Sequence, residues 1–339
     1  MACFHPLPAI RKKDSNQFRV GKQGDSFLPY TDLTTGERIE QTHVPCGKCI
    51  GCRIDYSRAW ADRCVLESLE YSKGLSWFVT LTYDDDHIET DKRSLLTDKG
   101  TLTLYPKDPQ DFLKRLRIHW ERVYNHIGIR FFMCGEYGST TARPHYHMLL
   151  YNLPIHDLKV YSKNRQGDLL YTSDELSSLW GFGYVIIGEL TWQTCAYTAR
   201  YVLKKFKGKT KEETEEHYKS VGLLPEYTRM SRMPGIAREF YERHKDDIYY
   251  YESLESNKII TNDQIILPGG KISKPPKYFD RLRKEEDPIS MVWIQEARKH
   301  VAELRALDRA KLTDLDEDAY FQVQEKKLEN RLKGLTRFI

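Results

Sequence analysis

The 339-residue chain has no apolar run approaching the roughly 18 residues that a membrane-spanning helix requires. Its longest are short pieces such as Met148–Tyr151 and Tyr184–Ile187. It also lacks the order of a secretory leader, because the apolar opening up to Ile10 precedes the basic Arg11, Lys12 and Lys13. The chain is therefore expected to stay in the cytoplasm where it is made, with no membrane partner. Cysteines number seven, an odd count without a leader, which argues against a disulfide framework; closely spaced thiols in a reducing compartment more often bind metal or do redox chemistry. A strong charge of one sign is missing too: 53 Lys and Arg face 49 Asp and Glu, net +4, so only local charge can identify a partner. No internal repeat is visible. What is present is 40% hydrophobic residues, enough to bury a core and to exclude disorder of the whole chain, in a length that suggests about two domains.

Residues 1–45 carry few periodic apolar positions and read as irregular. From Asp55 to about Ser72, Tyr56, Trp60, Cys64 and the run Leu66–Leu69 recur at helical spacing, and Gly74 ends the helix. Ser76–Tyr83, rich in β-branched and aromatic residues, reads as a strand that stops at the acidic Asp84, Asp85 and Asp86. A helix after Pro109 runs to about Asn125, followed by strands at Ile129–Glu136 and Pro144–Tyr151. Residues 152–180 form a polar insertion ending in a short helix, Ser173–Trp180; a fourth strand lies at Gly183–Gly188 and a helix at Thr191–Phe206. The order β, α, β, β, α, β, α with tight turns predicts an α+β fold, an antiparallel sheet with flanking helices, rather than a doubly wound one. A small β region is expected around Lys258–Ile266, closing at Gly269 and Gly270. Residues 281–339, with 13 basic and 12 acidic residues, read as two charged helices broken near Thr313.

His145 and His147 are two apart on a predicted strand, so both imidazoles face the same side and can share one ion. If residues 129–136 and 145–151 form a hairpin, Glu136 lies beside them, giving two imidazoles and a carboxylate with open positions. That donor set suits Mg²⁺ or Mn²⁺ acting as a Lewis acid on a phosphate oxygen. Tyr197 and Tyr201 stand i and i+4 on a predicted helix, a spacing that also fits an aromatic stripe facing a core. Around them lie Arg200, Lys204, Lys205, Lys207, Lys209 and Lys211 with no acid between, a surface that invites a phosphate backbone. Arg200, Lys204 and Lys205 are the candidate DNA contacts, and the two tyrosines candidate nucleophiles.

Cys46, Cys49 and Cys52 are three thiols at metal-ligand spacing, with Cys64 or His43 available as a fourth ligand of a structural zinc; free thiols or an iron–sulfur centre also fit. Cys134 and Cys195 read as packing. Asp84–Asp86 read as a solvated loop, and Arg229, Arg232 and Gly235 as either a DNA contact or an ordinary basic turn.

Three motifs in order, Phe78-Val-Thr-Leu-Thr-Tyr83, Pro144-His145-Tyr146-His147-Met-Leu-Leu150 and Tyr197-x-x-x-Tyr201, resemble the rolling-circle replication initiators, the HUH endonucleases with two tyrosines. The cysteine cluster followed by Asp55-Tyr-Ser-Arg-Ala-Trp60, and the later Ser231-Arg-Met-Pro-Gly-Ile236, resemble the initiators of the gokushovirus branch of the Microviridae. The likeness covers roughly residues 43–240. It implies a ferredoxin- or RRM-like core over residues 74–245, preceded by a Cys-rich segment and helix, 1–73, and followed by a small β region and charged tail, 246–339. It implies that Glu136, His145 and His147 bind the metal and that Tyr197 and Tyr201 are catalytic. The activity implied is nicking of the phage origin to leave a 5′-phosphotyrosine and a 3′-hydroxyl primer, then joining of the displaced strand, in the host cytoplasm with host helicase and polymerase. The phage pattern often places Lys before the second tyrosine; here it is Arg200, which cannot act as an acid or base. A relaxase or single-strand transposase of the same superfamily, and a non-catalytic zinc-dependent nucleic-acid-binding protein, are the rival readings.

Overall fold

The computed structural model describes residues 3–12, 17–90, 93–138, 141–164, 166–204, 216, 218–253 and 259–335. The chain divides into two compact units, residues 1–56 with 301–339, and residues 57–300. The helices with described bounds are α1 (Ile50–Ser68), α2 (Lys107–Tyr124), α3 (Asp174–Trp180), α4 (Trp192–Lys204), α5 (Arg238–Ile248), α6 (Lys277–Glu286), α7 (Pro288–Leu312) and α8 (Glu317–Leu335).

The unit of residues 57–300 is built on seven strands: β1 (Trp77–Tyr83), β2 (Arg130–Tyr137), β3 (Pro144–Tyr151), β4 (Lys159–Lys163), β5 (Leu169–Thr172), β6 (Gly183–Glu189) and β7 (Tyr227–Met230). Their order is β4-β5-β6-β1-β3-β2-β7 and every neighbouring pair is antiparallel. Alternation along the strands sends two sets of side chains to opposite faces. On one face Val79, Leu81, Met148, Leu150, Val185 and Ile187 pack with Phe112, Leu116 and Trp120 of α2 and Leu176 and Trp180 of α3. On the other, Phe132, Leu149 and Tyr151 pack with Ala61 and Val65 of α1, Cys195 and Ala199 of α4, and Tyr241 and Phe279 from α5 and α6. This second core runs past the boundaries expected near residues 73 and 245, since Cys64, Val65 and Leu66 precede the first and Ile248, Leu282 and Ile294 follow the second.

Local chemistry explains the helices. In α2 the buried Phe112, Leu116 and Trp120 recur every four residues, and Asn125 ends the helix in the left-handed conformation, its N–H returning to the Trp120 carbonyl. Ser173 caps α3 by accepting from the Leu176 N–H at 3.0 Å, and Gly181 closes it at φ 67°. Two parts of the sheet lie outside the sequence expectation. The insertion after Asn152 contributes the β4–β5 hairpin, whose mostly exposed residues carry no core-facing pattern, and β7 adds a short edge beside β2. The expected small β region is a pair of hairpins, Tyr251–Ser253 with Ile259–Thr261 and Ile265–Leu267 with Lys271–Ser273 across Gly269 and Gly270.

In the other unit the segment expected to be irregular holds short strands: Leu7–Arg11 pairs antiparallel with both Phe18–Val20 and Thr42–Val44. The tail is helical on both sides of Thr313, as the charge pattern predicts, and His5 meets Glu325 of α8 at 2.7 Å. Among the described residues, no helix is long and apolar enough to cross a membrane.

Candidate functional site

Antiparallel register places the site. On β2 and β3, Glu136 stands opposite His145 and Cys134 opposite His147; Thr80 and Thr82 of β1 oppose His147 and His145 from the other side. Opposed residues share a face, so both histidines and Glu136 project on the side covered by α4. His147 is the hub. Its Nε2 lies 2.5 Å from Glu136 Oε1, its Nδ1 2.9 Å from Thr80 Oγ1, and its ring is stacked on Phe78 at 5.4 Å between centroids. Both Glu136 (3% exposed) and His147 (7%) are buried.

Tyr197 comes down from α4 onto this pair. Its hydroxyl donates to Glu136 Oε1 at 2.9 Å and lies 3.5 Å from His147 Nε2. Burial, followed by the adjacent Glu136 charge, raises the Tyr197 phenol well above its ordinary range. The Arg200 guanidinium stands 5.2 Å from the centre of the same ring. His145 completes the face, its ring centroid 6.3 Å from that of His147. Burial and the neighbouring His147 lower its affinity for a proton, so the ring is held neutral. Its Nδ1 is buried with no hydrogen-bond partner. A Cβ at Gly138 would come within 2.5 Å of His145 Nε2, so only glycine leaves this imidazole its place.

The structure thus brings together Glu136, His145, His147, Tyr197 and Arg200. Tyr201 lies on α4 by its backbone; its side chain and that of Lys204 are outside the described residues, as is Lys205. Sequence reasoning did not assign roles to Thr80, Phe78 and Gly138. The first two sit in the Phe78–Tyr83 motif at the two-residue period that faces the histidines, which is the signal that could have found them.

The cysteine cluster requires a correction. The sulfurs that converge are those of Cys3, Cys46, Cys49 and Cys52, all within 4.8 Å of one another. Cys64 is not among them. It shares α1 with Cys52 but is twelve residues further on, a rise of about 18 Å, and its thiol is fully buried in the core, where burial pushes it up to about 12. His43 lies in the strand Thr42–Val44, outside the group. Glu136, His145 and His147 do not form a comparably closed set of ligand atoms among the described residues, because His147 and Glu136 bond directly to each other.

Two other motifs are structural. The Ser231–Ile236 segment is clamped from several sides: Arg130 donates to the Pro234 and Gly235 carbonyls at 2.9 and 3.1 Å, and Arg63, between the rings of Trp60 and Tyr278, donates to the Ile236 carbonyl at 2.8 Å. In the acidic run, Asp84 pairs with His87 at 2.6 Å and Asp85 with Arg143.

Comparison with known proteins agrees with this geometry. The family described as replication-associated protein ORF2 matches residues 76–206, which include all the site residues above. The chain is 35% identical over 341 residues to the replication-associated protein ORF2 of Spiroplasma virus 4, covering 99% of this chain and 98% of that protein. It is 25% identical to the replication-associated protein VP4 of Bdellovibrio phage phiMH2K, over 85% of this chain and 79% of that one. It is 31% identical to the replication-associated protein ORF4 of Chlamydia phage 1, over 60% of this chain and 50% of that one. No solved structure matches the chain.

Proposed function

We propose an origin-nicking and strand-joining activity for this chain from the premise that it belongs to the phage replication-associated proteins, as a gokushovirus-type replication initiator. The observation that carries the reading is the Tyr197 hydroxyl on Glu136 Oε1 at 2.9 Å, within 3.5 Å of His147 Nε2. A phenol packed against a carboxylate and an imidazole at the end of a sheet is a nucleophile placed beside its base and a ligand set.

Glu136, His145 and His147 are the residues that would hold a divalent cation. The fit rests on the buried, unpartnered Nδ1 of His145 and on a donor set of two imidazoles and one carboxylate, which matches Mg²⁺ or Mn²⁺. Such an ion, when bound, supplies Lewis-acid polarisation of a phosphate oxygen. The chain's own groups do the rest. Glu136 accepts the Tyr197 hydrogen bond and can take its proton as the phenol oxygen attacks phosphorus. Thr80 and Phe78 fix the His147 ring. Arg200, beside the attacking ring, holds a phosphate oxygen through its guanidinium fork. Attack releases a 3′-hydroxyl and leaves a 5′-phosphotyrosine on Tyr197. Tyr201, one turn along the same helix, is the second nucleophile for the regenerated origin, after which the freed 3′-hydroxyl attacks the first linkage and closes a circle. The substrate is single-stranded at the nick, the fold is of the HUH type, and the setting is the host cytoplasm with host helicase and polymerase.

The test uses single-stranded oligonucleotides tiling the phage genome, incubated with the full-length protein and Mn²⁺. One oligonucleotide is expected to yield an adduct that survives denaturing electrophoresis and is lost in Tyr197→Phe. An adduct undiminished in the Tyr197→Phe, Tyr201→Phe double variant, or no adduct with any oligonucleotide, would overturn the reading.

A further inference from the structure

The four converging thiols come from three separate places in the chain. Cys3 precedes the strand Leu7–Arg11, Cys46 and Cys49 flank the turn after Thr42–Val44, and Cys52 lies in the first turn of α1. Leu7 pairs with Val44 and Ala9 with Thr42, so Cys3 and Cys46 emerge together from the same end of one ladder. All four cysteines are free thiols, and the Cys46 and Cys52 sulfurs are 4.0 Å apart, twice a disulfide length.

The backbone around the sulfurs is arranged as for charge. Cys3 Sγ accepts from the Cys46 N–H at 3.2 Å; Cys46 Sγ accepts from Lys48 and Cys49 at 3.4 and 3.3 Å; Cys49 Sγ accepts from Cys52 and Phe4 at 3.5 and 3.4 Å. Gly47 makes this possible, because its φ of 72° turns the chain so that two successive N–H groups point back at Cys46. Neutral thiols packed in a core make no such demand for donors. Thiolates sharing a cation do, since amide dipoles offset the negative charge that four sulfurs leave on a divalent ion.

The surroundings give the ion a purpose. In the unit of residues 1–56 with 301–339, the buried apolar side chains among the described residues are Cys3, Ala9, Ile10, Ile39 and Cys49. Two of these are cysteines of the cluster, so hydrophobic burial alone offers little to hold the strands together, and small units of this kind commonly rely on a metal.

We propose that Cys3, Cys46, Cys49 and Cys52 bind one Zn²⁺ as a closed four-thiolate structural site that fastens the N-terminal strand to the Cys46–Cys52 turn. A single tetrahedral ion with metal–sulfur bonds of about 2.3 Å sets its sulfurs about 3.8 Å apart, close to the spacing present. A multi-iron cluster would need them wider. With all four positions filled by protein, the ion has no open site for substrate, so its role is to hold the fold and not to take part in phosphoryl transfer.

Full-length protein purified without added metal is expected to carry about one zinc per chain by elemental analysis, and Cys3→Ser to carry less than half of that. Cys64→Ala is expected to keep the full zinc content, because Cys64 is a core residue. Reconstitution with Co²⁺ gives a second readout: the sulfur-to-cobalt charge-transfer band falls in Cys3→Ser and is unchanged in Cys64→Ala. If Cys3→Ser proves poorly folded, Cys3→His offers a replacement ligand and is expected to regain zinc while losing part of the cobalt–sulfur band. Zinc absent from the wild type, iron with acid-labile sulfide in its place, or full zinc retention in Cys3→Ser would each overturn the proposal.

Discussion

The two constellations of this molecule that can hold metal are built in opposite ways. Glu136, His145, His147 and Tyr197 stand on adjoining strands and one helix of a large hydrophobic core, and their geometry follows from strand register and helix packing. Cys3, Cys46, Cys49 and Cys52 stand on a terminal segment, a turn and a helix start with few buried neighbours. In the first, the protein positions the ligands, and Glu136, His147 and Tyr197 already bond to one another. In the second, the ion positions the protein. Nitrogen and oxygen donors with an open position suit an exchangeable cation that does chemistry, whereas sulfur donors with none suit a permanent one that holds a fold.

The sharpest way to separate them is Tyr197→Phe. Deleting one hydroxyl from the sheet site removes the nucleophile and nothing from the cysteine cluster. Covalent adduct formation is expected to fall by at least about three orders of magnitude, with zinc content unchanged. Equal adduct in the variant would assign the first cut to Tyr201. Next in size is chelation: EDTA is expected to lower nicking by at least about 100-fold, and Mn²⁺ alone to restore it while the zinc stays bound. If zinc, and not Mn²⁺, were needed for recovery, the division of labour between the two sites would fail.

Thr80→Val tests a smaller effect of the same kind. The hydroxyl lies 2.9 Å from His147 Nδ1, so its loss frees the ring to turn while the volume of the side chain is kept. Partners of ligating imidazoles typically contribute about 10- to 100-fold, and a decrease of about that size in apparent Mn²⁺ affinity is expected from metal titrations of nicking, with Thr80→Ser close to wild type. An unchanged titration in Thr80→Val would show that packing against Phe78 alone fixes the ring.

The same contrast explains what could be read from the sequence. The central strands β1, β2, β3 and β6 and helices α2 and α4 announce themselves because each has one face in a core, and period-two and period-four patterns follow from that. Glu136, His145 and His147 were legible because strand register is implied by a tight hairpin. The β4–β5 hairpin and β7 were not, since a sheet edge exposed to water carries no alternation to detect. The fourth cysteine was misassigned for a related reason. Cys64 is near Cys52 along the chain but separated from it by the rigid rise of α1, whereas Cys3 is 43 residues from Cys46 and arrives through the pairing of Leu7–Arg11 with Thr42–Val44. Spacing motifs report local ligands, and a ligand delivered by strand pairing leaves no spacing to read.

Arg200→Lys, the smallest change, asks how far the sheet site depends on shape as opposed to charge. The guanidinium lies 5.2 Å from the centre of the Tyr197 ring and carries its charge in a plane that can stack on the phenol and fork to a phosphate. Lysine keeps the charge, loses the plane, and restores the residue common in this position of the phage pattern. If Arg200 acts through charge alone, nicking changes by less than about twofold; if the stacked fork matters, the loss of a contact of about 0.5–1 kcal/mol lowers the rate about two- to fivefold. The second outcome is expected, because the neighbouring Tyr197 is only half-buried and a flat cation over its exposed side restricts the ring where a flexible ammonium would not. Single-turnover rates of adduct formation at saturating Mn²⁺ read this directly, and a rate in Arg200→Lys equal to wild type would reduce Arg200 to a point charge.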